Sequence, residues 1–134
     1  MAYIRTLLVD DSLEFLEAAI HFLASDPNIK IVGSSISGYD AIEQVKLLKP
    51  DLVLMDLALP GMNGLETTRQ IKSEEKPPRV IILTLHDNDE YRFASASAQA
   101  DGFIAKSDFG SDLLPLIEYL FEENTLVESE LSKG

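Results

Sequence analysis

Short runs of apolar residues alternate along this chain with longer segments in which apolar residues recur at helical spacing. The short runs are mostly continuous in apolar character, which is typical of strands buried on both faces of a parallel sheet. Each run is therefore predicted to be a strand. The five runs span Ile4–Val9, Lys30–Ser34, Leu52–Met55, Val80–Thr84 and Gly102–Ala105.

The segments between these runs place their apolar residues on one face of a helix. Residues separated by three, four or seven positions lie on the same side of an α-helix, so this spacing predicts amphipathic helices that cover a sheet. The first such face contains Leu16, Ala19, Ile20 and Leu23, the second Ala41, Val45 and Leu48, and the last Leu113, Leu116, Ile117 and Leu120.

Local patterns indicate where several helices begin. Ser37 followed by Asp40, and Asp87 followed by Glu90, each resemble a capping arrangement at a helix start. A proline is tolerated only near the beginning of a helix, so the last helix is predicted to hold Pro115 in its first turn.

The fourth helix, predicted for Tyr91–Ala100, has the weakest pattern. Its centre, Ser95-Ala96-Ser97-Ala98, offers little apolar volume to bury against a sheet, and weak burial lowers local stability. We hypothesise that this helix is the mobile element of the fold. Amide exchange as slow there as in the first helix would contradict the hypothesis.

The alternation of strands and helices predicts an α/β fold. Because connections between parallel strands are right-handed, the simplest arrangement is a doubly wound five-stranded parallel sheet with helices on both faces. A length of 134 residues suits a single domain with its own core. The chain has no cysteine, which excludes disulfides and zinc sites of the cysteine type.

Charge and hydropathy narrow the classes of function. The formal net charge of -12 disfavours direct contact with nucleic-acid phosphates, which bind mainly to Lys and Arg. No signal peptide is recognisable before the first strand, and no uncharged apolar stretch approaches the roughly 20 residues of a membrane-spanning helix. We therefore expect a soluble, cytoplasmic protein with no membrane contact.

Three carboxylates stand where strands end. Asp10 and Asp11 follow the first run, and Asp56 follows the third. The carboxyl ends of parallel strands meet at one edge of the sheet, where α/β folds bind their ligands. At about 4 Å and an effective dielectric near 20, each carboxylate pair repels by roughly 4 kcal/mol. Such a cluster must protonate or bind a cation, and oxygen ligands favour Mg²⁺.

Two further polar residues end strands at the same predicted edge. Thr84 closes the fourth run and Lys106 follows the fifth. A carboxylate nucleophile, a divalent cation, a hydroxyl and an ammonium are the groups needed to accept a phosphoryl group. We predict that Asp56 attacks phosphorus while Lys106 and the metal neutralise charge and Thr84 donates a hydrogen bond.

Each of these residues also has an ordinary structural interpretation. An isolated Asp10-Asp11 pair would be interpreted as a helix cap followed by a solvated acid, Thr84 as a strand residue and Lys106 as a surface charge. Their joint occurrence at successive strand ends favours the functional interpretation.

The five residues, in this order at strand ends, resemble the acceptor site of the receiver domains of two-component response regulators. The segment Met55–Gly64, with its Pro-Gly and Asn-Gly turns, is similar to the loop that follows the phosphorylation site in that family. The resemblance covers the chain through Phe121 and implies the flavodoxin-like strand order 2-1-3-4-5. It implies a receiver domain over residues 1–122. Residues 123–134 follow as a polar segment with no further core pattern, which predicts a C-terminal tail or the start of a linker.

The resemblance also implies a ligand set and a donor. Asp11, Asp56 and the backbone carbonyl of Ala58 would coordinate Mg²⁺, with Asp10 acting mostly through water. Asp56 would take a phosphoryl group from a phosphohistidine on a sensor histidine kinase or a phosphotransfer protein, as in a phosphorelay. The domain would be a signalling module that assists its own phosphorylation and dephosphorylation, without being an enzyme for an external substrate.

Other marks of the family concern the switch and the output. Phe103 occupies the aromatic position that turns inward as Thr84 moves towards the phosphoryl oxygen, which would alter the surface formed by the fourth helix, fifth strand and fifth helix. Ser107 replaces a proline common in receivers, which resembles the LuxR-type subgroup with helix-turn-helix output domains. This implies transcription control and a homodimer through that surface. His86 lies where family members tune water access, so we hypothesise that it influences the lifetime of the phosphoryl group.

Several alternatives are weighed against this interpretation. A phosphatase of the haloacid dehalogenase type would need a second acid where Ala58 stands, and a Rossmann-type nucleotide site would need a glycine-rich turn in place of Asp10-Asp11. A receiver-like docking module without phosphorylation is disfavoured by the intact set of five residues. A stand-alone regulator that acts by protein–protein contact stays open beside a transcription factor, and the cognate kinase is not encoded in any visible pattern.

Overall fold

The computed structural model describes the backbone of residues 3–133 and the side chains of residues 3–122. The strands are β1 (Ile4–Val9), β2 (Ile29–Ser35), β3 (Leu52–Asp56), β4 (Arg79–Thr84) and β5 (Gly102–Ala105). The helices are α1 (Leu13–Leu23), α2 (Gly38–Leu48), α3 (Gly64–Lys72), α4 (Asp89–Ser97) and α5 (Phe109–Lys133), the last preceded by a 3-10 turn at Lys106–Asp108. The predicted strands are confirmed to within one residue at each end.

The five strands form one parallel sheet in the order β2-β1-β3-β4-β5. This is the doubly wound, flavodoxin-like order that the family resemblance implies. Strands β1, β3 and β4 lie inside the sheet, and all residues of β3 are buried. Their continuous apolar sequences follow from this position, because both faces of a central parallel strand are covered by helices.

Two apolar clusters lie on opposite faces of the sheet. Leu8, Leu54 and Leu83 face the cluster that α1 and α5 cover, whereas Leu7 and Val53 face the cluster covered by α2 and α3. Side chains of neighbouring residues therefore point to opposite faces, as the pleat of a strand requires.

No helix within the described part of the chain is long and apolar enough to cross a membrane.

The register of the strands aligns their carboxyl ends. Near this end of the sheet the paired residues are Val9 with Met55, Asp56 with Leu83, and Thr84 with Ala105. Because these pairs lie side by side, the residues that end or follow β1, β3, β4 and β5 emerge at a common edge of the sheet.

The start of α5 differs from the prediction. The helix begins at Phe109, so Pro115 lies beyond the first turn, and the predicted position of Pro115 is wrong. The Phe109 ring packs against the rings of Phe15 and Phe22, with centroids 5.4 and 5.3 Å away. This aromatic contact fixes the helix start earlier than the proline alone would favour. Side chains of residues 123–134 lie outside the described residues, so the boundary at residue 122 stays a prediction.

The start of α4 also differs from the prediction. Asn88 caps the helix by accepting a hydrogen bond from the Tyr91 amide at 2.8 Å, so the predicted capping arrangement of Asp87 with Glu90 is wrong. The Asp87 carboxylate instead accepts two hydrogen bonds from the Arg92 guanidinium, at 2.7 and 2.9 Å. The sequence offers two adjacent capping residues, Asp87 and Asn88. Because Arg92 binds the Asp87 carboxylate, Asn88 caps the helix.

The remaining helix predictions are largely confirmed. Ser37 caps α2 by accepting a hydrogen bond from the Asp40 amide at 3.1 Å. In α1, however, Ile20 is 37% exposed, so its place on the predicted buried face is wrong. Within α4 only Ser95 is buried, and Gln99 follows with a positive φ of 70°. The helix therefore stops before the predicted Ala100, and its mobility stays a prediction.

Candidate functional site

Three carboxylates meet at the carboxyl edge of the sheet. Asp10 follows β1, Asp11 opens the connection to α1, and Asp56 ends β3. One oxygen of each carboxylate lies within 4.8 Å of the others. Asp10 and Asp56 are 2% and 4% exposed, whereas Asp11 is exposed to solvent. The predicted cluster is thus formed by two buried acids and one acid at its mouth.

Lys106 supplies a positive charge to this cluster. Its Nζ lies 2.7 Å from Asp10 Oδ2 and 3.5 Å from Asp56 Oδ1, and its side chain is 11% exposed. The ammonium also lies 4.3 Å from the centroid of the Phe15 ring. One cation cannot balance three carboxylates, so the site retains a negative charge that a divalent cation would neutralise.

The environment of Asp56 disfavours its ionised form. Burial raises the pKa of this carboxyl from 3.8 to about 6, and the negative charges of Asp10 and Asp11 act in the same direction. Lys106 and the Ala58 amide, which donates a hydrogen bond to Asp56 Oδ1 at 3.3 Å, oppose the increase in pKa without cancelling it. Without a bound metal the acid is therefore partly protonated near pH 6.

The segment after β3 holds the Asp56 backbone against the start of α3. A Cβ atom at Gly64 would collide with the carbonyl oxygen of Asp56, so this approach requires glycine. The Gly64 amide donates a hydrogen bond to the Leu57 carbonyl at 3.0 Å, and Asn63 caps α3 through the Glu66 amide at 2.9 Å. Gly64, which the sequence indicates as a turn residue, is thus a close-contact residue at the first position of α3.

Thr84 ends β4 at the same edge and is 2% exposed. Its hydroxyl donates a hydrogen bond to the His86 carbonyl at 3.3 Å and accepts one from the His86 amide at 3.1 Å. The hydroxyl is therefore bonded to the loop that leads to α4. Any new partner of this hydroxyl must compete with those local contacts. The His86 side chain itself is exposed.

Phe103 lies on β5 and is partly buried against the apolar cluster under α2 and α3. The Arg92 guanidinium carbon lies 4.8 Å from the centroid of its ring, while the same guanidinium binds Asp87. Arginine often stacks on aromatic rings in this way. The arrangement joins the predicted switch residue to the loop between β4 and α4.

Two residues near the site were missed by sequence reasoning. Phe15 contacts Lys106, and Arg92 covers Phe103. Phe15 lies in the first turn of α1, directly after the acidic residues that end β1, so its place near the carboxyl edge of the sheet could have been predicted. No comparable local pattern links Arg92 with Phe103, because they lie on different elements.

The donor set fits a hard divalent cation. Asp10, Asp11 and Asp56 all offer carboxylate oxygens. Within the described residues, they form the cluster that could hold a metal ion. Mg²⁺ prefers such oxygen ligands and is usually bound by one or two carboxylates together with water. The predicted contribution of the Ala58 carbonyl stays a prediction.

Residues 6–118 match the family model of the response regulator receiver domain. The chain belongs to this family. A receiver domain is a signalling domain, and the carboxylate, hydroxyl and ammonium groups gathered at the sheet edge are those that the family resemblance assigns to it. The fold predicted from that resemblance is confirmed by the strand order.

The similar curated proteins are response regulators, and one of them is named a transcriptional regulatory protein. Response regulator protein VraR of Staphylococcus saprophyticus is 35% identical over 130 residues, which cover 96% of this chain and 61% of that protein. Transcriptional regulatory protein LiaR of Bacillus subtilis is 30% identical over 129 residues, with the same coverage of 96% and 61%. The chain therefore spans about three-fifths of the length of these curated relatives.

A solved structure supports the same relationship. A two-component response regulator of the LuxR family from Aurantimonas has a TM-score of 0.86 and 29% sequence identity, covering 91% of this chain and 87% of that one. The kinship with LuxR-type regulators that Ser107 indicates is confirmed by these comparisons. The receiver domain is thus related to regulators of the LuxR type.

Proposed function

We propose that this receiver domain accepts a phosphoryl group on Asp56 from a phosphohistidine of a sensor histidine kinase or phosphotransfer protein. The observation that carries the proposal is the cluster around the buried Asp56 carboxylate, which lies 3.5 Å from the Lys106 ammonium and within 4.8 Å of an oxygen of Asp10 and of Asp11. A buried carboxylate that belongs to a candidate metal cluster and has an ammonium beside it suits phosphoryl transfer. We expect the reaction to take place in the cytoplasm.

In the proposed reaction an Asp56 carboxylate oxygen attacks phosphorus while the bond between phosphorus and the donor imidazole nitrogen breaks. The bonding electron pair leaves with that nitrogen, and an aspartyl phosphate forms. Lys106 lies 3.5 Å from Asp56 Oδ1 and would neutralise charge on a phosphoryl oxygen. Only the ionised carboxylate is a nucleophile, so neighbouring positive charge also favours the reactive form.

Asp11, Asp56 and the backbone carbonyl of Ala58 would hold Mg²⁺, with Asp10 acting mostly through water. When bound, the ion supplies positive charge that counters the repulsion between these carboxylates and the phosphoryl oxygens. Asp11 is exposed at the mouth of the site, so a Mg²⁺ ion bound there could keep several of its water molecules, as Mg²⁺ usually does in proteins.

The proposed switch uses Thr84 and Phe103. The Thr84 hydroxyl would leave its contacts with His86 to bond a phosphoryl oxygen, and Phe103 would turn inward, which alters the surface of α4, β5 and α5. We propose that this surface then favours a homodimer, and that the output is transcription control through a DNA-binding domain outside this chain. Names of the relatives support that output.

A stand-alone regulator that acts by protein–protein contact is the second candidate. The acidic composition, with a formal net charge of -12, suits contact with a protein better than contact with nucleic acid. Sequencing the gene beyond Gly134 distinguishes the two, because a helix-turn-helix segment in the same reading frame would support transcription control and a stop codon would support the second candidate.

The central test is phosphorylation by acetyl phosphate with Mg²⁺. We expect one acid-labile phosphate per chain, abolished in Asp56→Asn and by EDTA, and retained in the control Asp108→Asn, which removes an exposed acid. Phosphate that persists in Asp56→Asn would refute the assignment of the acceptor.

His86 has a separate proposed role in the lifetime of the phosphoryl group. His86 lies two residues after Thr84, its amide binds the Thr84 hydroxyl, and its side chain is exposed. There the side chain would limit the approach of water to the aspartyl phosphate. We expect His86→Ala to change the half-life of the aspartyl phosphate, measured by loss of label after the donor is removed. Equal half-lives in the two proteins would remove this role.

A further inference from the structure

Phe15 makes a contact with the site that the chemistry described above does not use. The Lys106 ammonium lies 4.3 Å from the centroid of the Phe15 ring. The polar partners of the same ammonium are Asp10 at 2.7 Å and Asp56 at 3.5 Å. A cation near an aromatic face is attracted by the negative charge of that face. Lys106 is thus held by two carboxylates and one ring.

The Phe15 ring is itself fixed by the core. It meets the Phe109 ring nearly edge to face, with centroids 5.4 Å apart and an interplanar angle of 78°. Phe109 is 9% exposed and starts α5. Because an edge-to-face pair has a preferred geometry, the orientation of Phe15 is set by the packing of α1 against α5. The ring is a rigid surface for Lys106.

A rigid surface matters because of the side chain that it supports. The lysine ammonium is a compact charge on a flexible four-carbon chain, with three donors that can point in many directions. Asp10 lies closer to the ammonium than Asp56 does, so charge alone would keep the ammonium on Asp10. A third contact restricts the ammonium to positions from which it also reaches the oxygens of Asp56.

We propose that Phe15 is a positioning residue that holds the Lys106 ammonium where it meets the phosphoryl oxygen transferred to Asp56. The inference rests on the proposed function and adds one residue to it. Lys106 acts on the reacting group, and Phe15 acts through Lys106. The aromatic face, and not only the volume of the side chain, is the property required.

Phe22 provides the matched control. It is partly buried in the same cluster, and its ring packs on Phe109 with centroids 5.3 Å apart. It lies two turns further along α1 than Phe15, on the side away from the carboxyl edge of the sheet. Phe15→Leu and Phe22→Leu therefore remove similar aromatic packing, but only the first removes the ring next to Lys106.

The experiment measures the rate constant of phosphorylation by acetyl phosphate with Mg²⁺ in the full chain. We expect Phe15→Leu and Phe15→Met to lower it by about threefold to tenfold, the range that loss of one cation–π contact gives. Phe15→Tyr keeps an aromatic face, so we expect it to retain the wild-type rate. We expect Phe22→Leu to stay within about twofold of wild type. The Met variant keeps the test available if Leu prevents folding.

A second readout does not depend on phosphorylation. Because the Phe15 ring lies 4.3 Å from Lys106 Nζ, we expect its ring current to shift the NMR signals of the Lys106 side-chain methylene protons, and we expect this shift to vanish in Phe15→Leu and persist in Phe22→Leu. Equal slowing by Phe15→Leu and Phe22→Leu, or wild-type rates in both non-aromatic Phe15 variants, would overturn the positioning role. If the wild-type chain takes no phosphate, the proposed function fails and this role fails with it, whatever the NMR signals report. If wild type is phosphorylated and only the role of Phe15 fails, the proposed function stands.

Discussion

Replacement of Asp56 by asparagine is expected to stabilise the folded chain at neutral pH when no divalent cation is present. Burial, reinforced by Asp10, raises the pKa of Asp56 from 3.8 to about 6. At about 1.4 kcal/mol per pH unit, this difference corresponds to a destabilisation of about 3 kcal/mol once the carboxyl is ionised in both states. Asparagine has nearly the same shape and no charge, so it avoids this destabilisation.

The sign of the pH dependence follows from proton binding. Between pH 3.8 and about 6 the unfolded chain loses the Asp56 proton while the folded chain retains it. The folded state then binds more protons, so the free energy of unfolding falls as pH rises through this window. The contribution of the protonated carboxyl is complete below the lower pKa and is lost above the higher one.

The other contacts around Asp56 are expected to persist in Asp56→Asn, so the variant can be compared directly with wild type. An asparagine oxygen can still accept the hydrogen bond from the Ala58 amide, and Lys106 keeps its pair with Asp10 at 2.7 Å. The substitution therefore leaves no buried cation without a partner. Most of the difference between the two proteins is expected to come from the Asp56 charge.

The assay is urea unfolding in EDTA at a series of pH values from about 4 to about 8. We expect the stability of Asp56→Asn relative to wild type to rise by about 2.4 kcal/mol across this range, with the smallest difference at the acid end. Glu75→Gln removes an exposed acid and controls for net charge. A difference that does not vary with pH, or a variant less stable than wild type near pH 8, would refute the reasoning.

Three other substitutions test contacts around the site and the core. Gly64→Ala places a Cβ against the Asp56 carbonyl, so we expect it to lower the unfolding free energy by about 1–3 kcal/mol in urea; unchanged stability would contradict this close contact. Asp101→Asn weakens the bonds of Asp101 to Lys72, Arg79 and the Val80 amide, so we expect the free energy of unfolding to fall by about 2 kcal/mol. An unchanged urea midpoint would contradict this expectation. Arg92→Gln uncovers Phe103, and we expect faster amide exchange in α4 with little change in global stability; unchanged exchange would indicate that Arg92 does not restrain this helix.

Sequence reasoning was most effective where one physical cause acts alone. The strands of the sheet centre must bury both faces, so a continuous apolar run such as Val80–Leu83 is best accounted for as a central strand. The residue after such a run has to emerge at the carboxyl edge, which is why Asp10, Asp56 and Lys106 could be placed together from the sequence alone. Their contacts of 2.7 and 3.5 Å confirm that placement.

Prediction was weaker where distant parts of the chain compete. Asp87 and Asn88 are equally good caps by local rules, and the choice depends on Arg92, which binds the first. The start of α5 depends on the aromatic contact between Phe109 and Phe15, which no local spacing encodes. Such contacts become visible only when the elements are packed.

The bond between Lys106 and Asp10 joins β5 to β1 across two intervening strands. The partners are 96 positions apart in the sequence, so they meet only after nearly the whole sheet has assembled. A nascent or partly unfolded chain presents the same aspartates but lacks the cation beside them. The proposed acceptance of a phosphoryl group would thereby be coupled to completion of the fold.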